Sequence, residues 1–343
     1  MKILKKSIIY FVISAIFIIA SGTSTTLAKA DTVNNKKIQY IPPINLITKV
    51  GEPFGLPDTV CAIFTDYTSD DLNANWDTNN PNHFNAAGVY ELKGTIQNSN
   101  EPIKAIINVF PRDKQVKIAA VGASITYGFG VSSVSKYSYS AQMNIRLGEG
   151  YLVNNYGVTG RTVMTNTSAP YVKNTKYNQS LAFNPDAVCI LMGSNDTRSA
   201  NWKNSDRFIS DYINLITSYK HLSSNPIIYI CTPPAILRDG TYGMSIANYN
   251  ELVKKIKQVS EEMKVYNVSF IDIEKALNGS NQFFPDKVHP NNEGTALMAN
   301  NILRAMKGKD VTVKTGIHDV YFTFTSTKYS KNIACLTWIN FAP

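Results

Sequence analysis

From about residue 115 onward the chain alternates short apolar runs with longer amphipathic stretches. The runs at 116–121 and 187–192 are apolar apart from Lys117, and those at 151–156, 226–232 and 269–273 are mainly apolar. Between and after them, 138–147, 206–219, 246–263 and 292–306 carry helical periodicity. A strand that is apolar on both faces must be covered on both. Alternation with helices meets that need by building a parallel sheet with helices on each side. This predicts an α/β domain, and ligands in such sheets bind at the carboxyl ends of the strands.

The preceding segment follows a different grammar. Residues 44–110 hold short β-type runs, at 60–65, 88–96 and 104–110 among others, separated by Gly, Pro, Asn and Asp clusters. About seven short strands in this length predict a small all-β sandwich. Gly51-x-Pro53, Leu56-Pro57, Trp76-Asp77 and Ala87-Gly88-Val89-Tyr90 together resemble a bacterial Ig-like domain. The expected boundaries are 31–43 as a polar linker ending in Pro42-Pro43, 44–111 as the Ig-like sandwich and 112–307 as the α/β domain, with the junction at Pro111-Arg112-Asp113.

The two ends carry signals of their own. Lys2, Lys5 and Lys6, an apolar run at 8–20 and the small-x-small Ala28-Lys29-Ala30 read as a secretory signal peptide over 1–30. The apolar run is short of the ~20 residues a membrane span needs, so the mature chain is expected to be secreted, without stable membrane insertion. The formal charge of +9 includes four lysines and no acid in 1–30, which leaves +5 for the rest, with no dense Lys/Arg run. Nucleic acid is therefore not an expected partner. The cysteines Cys61, Cys189, Cys231 and Cys335 form neither a disulfide framework nor a zinc spacing, although export leaves a bridge open. Cys189 and Cys231 sit inside apolar runs, where buried free thiols are expected.

Four segments carry chemistry. The first run ends in Gly122-Ala123-Ser124-Ile125-Thr126, placing a serine between a buried strand and a helix N-terminus that favours a developing anion. A serine hydroxyl needs a base. Of four histidines only His289 has an aspartate three residues before it, in Asp286-Lys287-Val288-His289. On a tight turn that carboxylate can hold one ring nitrogen and leave the other for the serine. After the third run, Gly193-Ser194-Asn195-Asp196 offers a side-chain amide as an oxyanion donor, and Asn155-Tyr156-Gly157-Val158-Thr159-Gly160 supplies a glycine loop after the second.

These four blocks, in this order over about 115–307, resemble the SGNH hydrolase superfamily, the GDSL esterases. The resemblance implies a three-layer α/β/α sandwich around a five-stranded parallel sheet, a flavodoxin-like arrangement. It implies Ser124 as nucleophile and backbone oxyanion donor, Gly160 and Asn195 as the other two donors, His289 as base and Asp286 as its orienting acid. No metal or organic cofactor is implied. One departure stands out: the first block usually reads Gly-Asp-Ser, and here alanine occupies position 123.

Carbohydrate O-acetyl esters are the first substrate expectation. The loop 171–184 and Asn184-Pro185-Asp186 resemble secreted glycan deacetylases, and an exported Ig-like module suits extracellular polysaccharide. The tail 308–343, with 315–322 and 336–341, resembles a fragment of a family 6 carbohydrate-binding module. A general short-acyl esterase or lysophospholipase is the alternative enzyme, and a non-catalytic glycan- or cell-wall-binding protein is the alternative of another class. Tyr127, Trp202 and Tyr242 are candidate substrate-binding aromatics, with Phe129 and Tyr137 beside them.

Overall fold

The computed structural model describes residues 36–308, so the expected signal peptide and the tail beyond residue 308 lie outside the described residues. Eleven strands occur among them. The first six are β1 (Ile38–Tyr40), β2 (Ile44–Lys49), β3 (Thr59–Phe64), β4 (Ser69–Trp76), β5 (Gly88–Ile96) and β6 (Pro102–Phe110), joined in the order β1-β3-β4-β5-β6-β2. β4 belongs to two ladders: residues 69–73 pair with β3 and residues 74–76 pair with β5. A strand that changes partners along its length makes the corner of a sandwich. There are six strands here against the seven expected, and one of them, β1, falls within the segment expected as linker. Trp76 packs on the Leu46, Leu92, Ile107 core, and its indole N–H donates to Pro57 O at 2.8 Å.

The remaining strands are β7 (Val116–Gly122), β8 (Tyr151–Gly157), β9 (Ala187–Leu191), β10 (Ile227–Cys231) and β11 (Ser269–Ile271), all parallel, in the order β11-β10-β9-β7-β8. The order reverses at β7, between β8 and β9, which is where a crevice opens in a doubly wound sheet. Period-two alternation assigns the two faces. Val116, Ile118 and Ala120 face helices Tyr139–Leu147 and Asn292–Lys307 through Tyr139, Met143, Met298 and Ile302. Ala119 and Val121 face helices Phe208–Lys220 and Ile246–Glu262 through Phe208, Tyr212, Leu252 and Ile256. The α/β/α layering expected from the sequence is therefore present.

The two folds share a core, which the sequence did not suggest. From Ile38 onward the described chain is one compact unit. Within β2, Leu46 belongs to the sandwich core while its neighbour Ile47, 1% exposed, belongs to the core beneath the parallel sheet. Asn45 adds polar ties: its amide nitrogen donates to Asn267 O at 2.7 Å and to Ser269 Oγ at 2.9 Å, and its carbonyl accepts from the buried Tyr229 hydroxyl at 2.7 Å. No helix among the described residues is long and apolar enough to cross a membrane. Cys61, Cys189 and Cys231 are free thiols, with Cys189 Sγ and Cys231 Sγ 3.5 Å apart in the core and burial pushing the Cys231 thiol well up. Cys335 lies outside the described residues.

Candidate active site

Each motif loop leaves the carboxyl end of a strand. β7 ends at Gly122, where a Cβ would strike Thr126 Oγ1 and Leu191 O, so only glycine lets the chain turn this closely against β9. Ser124 then opens the single helical turn Ser124–Tyr127. The first amides of a helix have no partner within it, and the Ser124 amide finds no acceptor elsewhere among the described residues. The turn is fixed from β8: Asn155 Nδ2 donates to Thr126 O at 2.7 Å and to Ser140 Oγ at 2.8 Å, while Asn155 Oδ1 accepts from Gly157 N at 2.9 Å.

His289 arrives on the turn after the short helix Ile273–Leu277. Asp286 Oδ1 accepts from the amides of Val288 at 3.0 Å and His289 at 2.7 Å, the side-chain-to-backbone closure that aspartate favours. Lys287, between them, adopts φ +73°. This small turn aims the remaining carboxylate oxygen at the ring: His289 Nδ1 lies 2.6 Å from Asp286 Oδ2, and Nε2 lies 2.9 Å from Ser124 Oγ. Burial alone would raise the Asp286 carboxyl, but the hydrogen bonds from the His289 amide, the imidazole and the Val288 amide outweigh it, so its pKa is lowered and the carboxylate is held ionised. Ser124 and His289 are both buried to within a few per cent.

The two other motif loops face each other. Gly160 has φ +80°, a Cβ at this position would meet nothing within 4 Å, and its amide finds no acceptor among the described residues. Asn195, buried at the end of β9, donates from Nδ2 to Arg161 O at 3.1 Å, tying its side chain to the residue after Gly160 and leaving its second amide proton for another acceptor. Asn201 Nδ2 donates to Asn195 O at 2.9 Å and steadies that backbone.

Some residues that build the site had no role assigned from the sequence. Asp196, fully buried, accepts from Val163 N at 3.0 Å and Met164 N at 2.9 Å, and Asp211 Oδ2 accepts from Thr165 N at 2.7 Å. Two carboxylates thus clamp the segment that follows Gly160. Burial pushes the Asp196 carboxyl up to about 7 against the opposing pull of the two amides. Its place beside Asn195 was the available signal; Asp211 looked like any acid on an amphipathic helix.

The candidate aromatics divide. Tyr127, Phe129 and Tyr242 are exposed. The Phe129 ring centroid lies 4.5 Å from that of His289 and the Tyr242 centroid 5.4 Å from it. Trp202 corrects the expectation. It is 7% exposed, its indole N–H donates to Glu251 Oε2 at 3.0 Å and its ring packs on Phe208, so it has no open face for a substrate. Tyr137 is half-buried, its ring under Lys136.

Comparison with known proteins follows the same division of the chain. Residues 41–99 match the bacterial Ig-like domain (group 4). An acetylxylan esterase of Xylanibacter ruminicola is 31% identical over 218 residues, covering 57% of this chain and 44% of that protein. A multidomain esterase of Ruminococcus flavefaciens is 28% identical over 129 residues, covering 37% of this chain and 16% of that protein. The chain thus spans less than half the length of either relative. Among solved structures, a carbohydrate acetylesterase of Sinorhizobium meliloti has 20% identity and a TM-score of 0.47, with 55% of this chain and 96% of that one covered. Residues 120–297, just over half of the chain, match the GDSL-like lipase/acylhydrolase family, and they contain Ser124, Gly160, Asn195, Asp286 and His289. The chain belongs to that family.

Proposed function

We propose that this protein is an exported serine esterase that removes O-acetyl groups from carbohydrates. The observation that carries the reading is the continuous chain from Ser124 Oγ through His289 to Asp286, at 2.9 and 2.6 Å. Ser124 Oγ attacks the ester carbonyl carbon while His289 Nε2 takes its proton, and Asp286 holds the imidazolium that forms. The carbonyl oxygen gains negative charge and is met by the Ser124 and Gly160 amides and Asn195 Nδ2. His289 then returns the proton to the departing sugar hydroxyl, leaving acetyl-Ser124. Water, deprotonated by the same imidazole, releases acetate and restores the serine hydroxyl.

Similarity to an acetylxylan esterase supports the choice of substrate. The exposed faces of Phe129 and Tyr242 beside His289 suit the C–H face of a sugar ring better than a long acyl chain, which would need an enclosed apolar groove. The N-terminal pattern Lys2 to Ala30 and the Ig-like domain fit action on polymer outside the cell. The test compares acetate release from acetylated xylan with fatty-acid release from lysolecithin, using the wild type and Ser124→Ala. Acetate release abolished in the variant supports the reading. Fatty-acid release alone, or no hydrolysis of p-nitrophenyl acetate, overturns it.

A further inference from the structure

The loop between β10 and helix Ile246–Glu262 is built to deliver one side chain. Gly240, Tyr242 and Gly243 all have positive φ, at +77°, +53° and +74°. Glycine adopts such a backbone freely, but for tyrosine it is strained, and strain of this kind persists only when surrounding contacts impose it. Both ends of the loop are pinned. Leu237 N donates to Lys287 O at 2.9 Å, tying the loop to the turn that carries Asp286. Gly240 N donates to Met244 O at 2.8 Å, and Met244, buried, bridges to Arg198.

The result of that geometry is a hydrogen bond from the Tyr242 hydroxyl to Asp286 Oδ2 at 3.0 Å, on the same oxygen that faces His289 Nδ1. Oδ1 is already taken by two amides. The Tyr242 ring meets the imidazole edge-on at 5.4 Å. Among the described residues no side chain besides those of His289 and Tyr242 hydrogen-bonds to Asp286, and the nearby cations are directed elsewhere: Lys287 Nζ donates to Asn281 Oδ1 and Arg238 Nε to Thr241 Oγ1. Phe129, the other ring on His289, is neutral.

Building on the esterase reading, we propose that Tyr242 is a positioning residue, its hydroxyl closing a four-member chain Ser124–His289–Asp286–Tyr242. A donor on Oδ2 fixes the carboxylate against the imidazole and draws negative charge away from the Asp286–His289 bond. Without the hydroxyl, Oδ2 carries more charge, and His289 protonates more readily.

The experiment measures two quantities on wild type, Tyr242→Phe and Tyr242→Ala. One is the pH profile of kcat/KM on p-nitrophenyl acetate. The other is the titration of the His289 ring carbons by NMR, assigned with His289→Gln, which needs no turnover. Tyr242→Phe keeps the ring and should move both the acid limb and the NMR midpoint upward by about half a unit to one unit, the equivalent of one ordinary hydrogen bond. KM should stay within about twofold, because the hydroxyl acts through Asp286. Tyr242→Ala should shift them equally. A Tyr242→Phe variant that titrates like wild type, with only Tyr242→Ala displaced, overturns the proposal and leaves the ring as the active part. An NMR shift in a protein that cleaves no ester supports the hydrogen-bond chain while sinking the esterase reading. Intact hydrolysis without any NMR shift sinks the chain alone.

Discussion

Replacing Ile47 by alanine tests whether the Ig-like sandwich and the parallel-sheet domain stand or fall together. Ile47 lies on β2, a strand of the sandwich, yet its side chain is buried with Val116, Ile118, Met298, Ile302 and Met306 of the other fold. The change removes three carbons, worth roughly 2.4 kcal/mol at about 0.8 kcal/mol per buried methylene. The cavity left behind adds to this, since β2 is held by its ladder to β6 and by Asn45 and cannot collapse inward, so about 3 kcal/mol is expected within the usual range for such truncations. For a cooperative unit spanning residues 38–308, with an unfolding entropy of about 2.1 cal/mol/K per residue, that lowers Tm by roughly 5 °C. Urea unfolding would be followed by fluorescence in variants that keep only Trp76, in the sandwich core, or only Trp202, against Phe208. Both reporters should show one shared transition, moved by the same amount. A Trp202 transition that stays in place while the Trp76 transition shifts would refute the shared core, because it would show two modules unfolding independently.

Asn195→Ala should lower kcat by about 10² to 10³ with a smaller change in KM, because the lost amide acts mainly on charge present in the transition state; a change confined to KM would assign Asn195 to substrate binding. Asp196→Asn should flatten the pH dependence of Tm. The folded carboxyl titrates at about 7 against an ordinary value near 3.8, so its stabilising contribution is full below about 3.8 and is lost as pH rises through about 7. Thermal melts from pH 4 to 8 should show wild type losing more stability than the variant over that window, and parallel curves would count against it. Asp286→Asn should leave a folded but slow enzyme, with Tm less sensitive to acid. The lowered carboxyl contributes stability above its ordinary pKa and loses it as pH falls through the folded value, and equal acid sensitivity would contradict this. Ala123→Asp should reduce both Tm and kcat/KM on an acetyl ester, since residue 123 is 6% exposed and a buried carboxylate without partners is costly; a gain in both would show that partners for the usual aspartate remain.

The apolar runs at 116–121 and 187–192 determined the parallel sheet, because a strand without a polar face can be stable only between two covering layers. The spacing of Asp286 and His289 determined their pairing, because the contact is closed within one turn by local backbone amides. What the sequence could not decide is which distant element covers a buried position. Periodicity reports that a side chain leaves water, not what it meets there. Ile47 next to Leu46 reads as an apolar pair in an Ig-like strand, and only the packed structure turns one to each of two cores. Trp202 reads as an aromatic beside a motif loop, and tertiary packing closes it against Phe208 and Glu251. Tyr242 lies 44 positions from Asp286 in the chain, and no local pattern announces a hydrogen bond between them. That contact exists because the β10 and β11 loops converge at the same edge of the sheet, a consequence of the strand order and not of either loop's own residues.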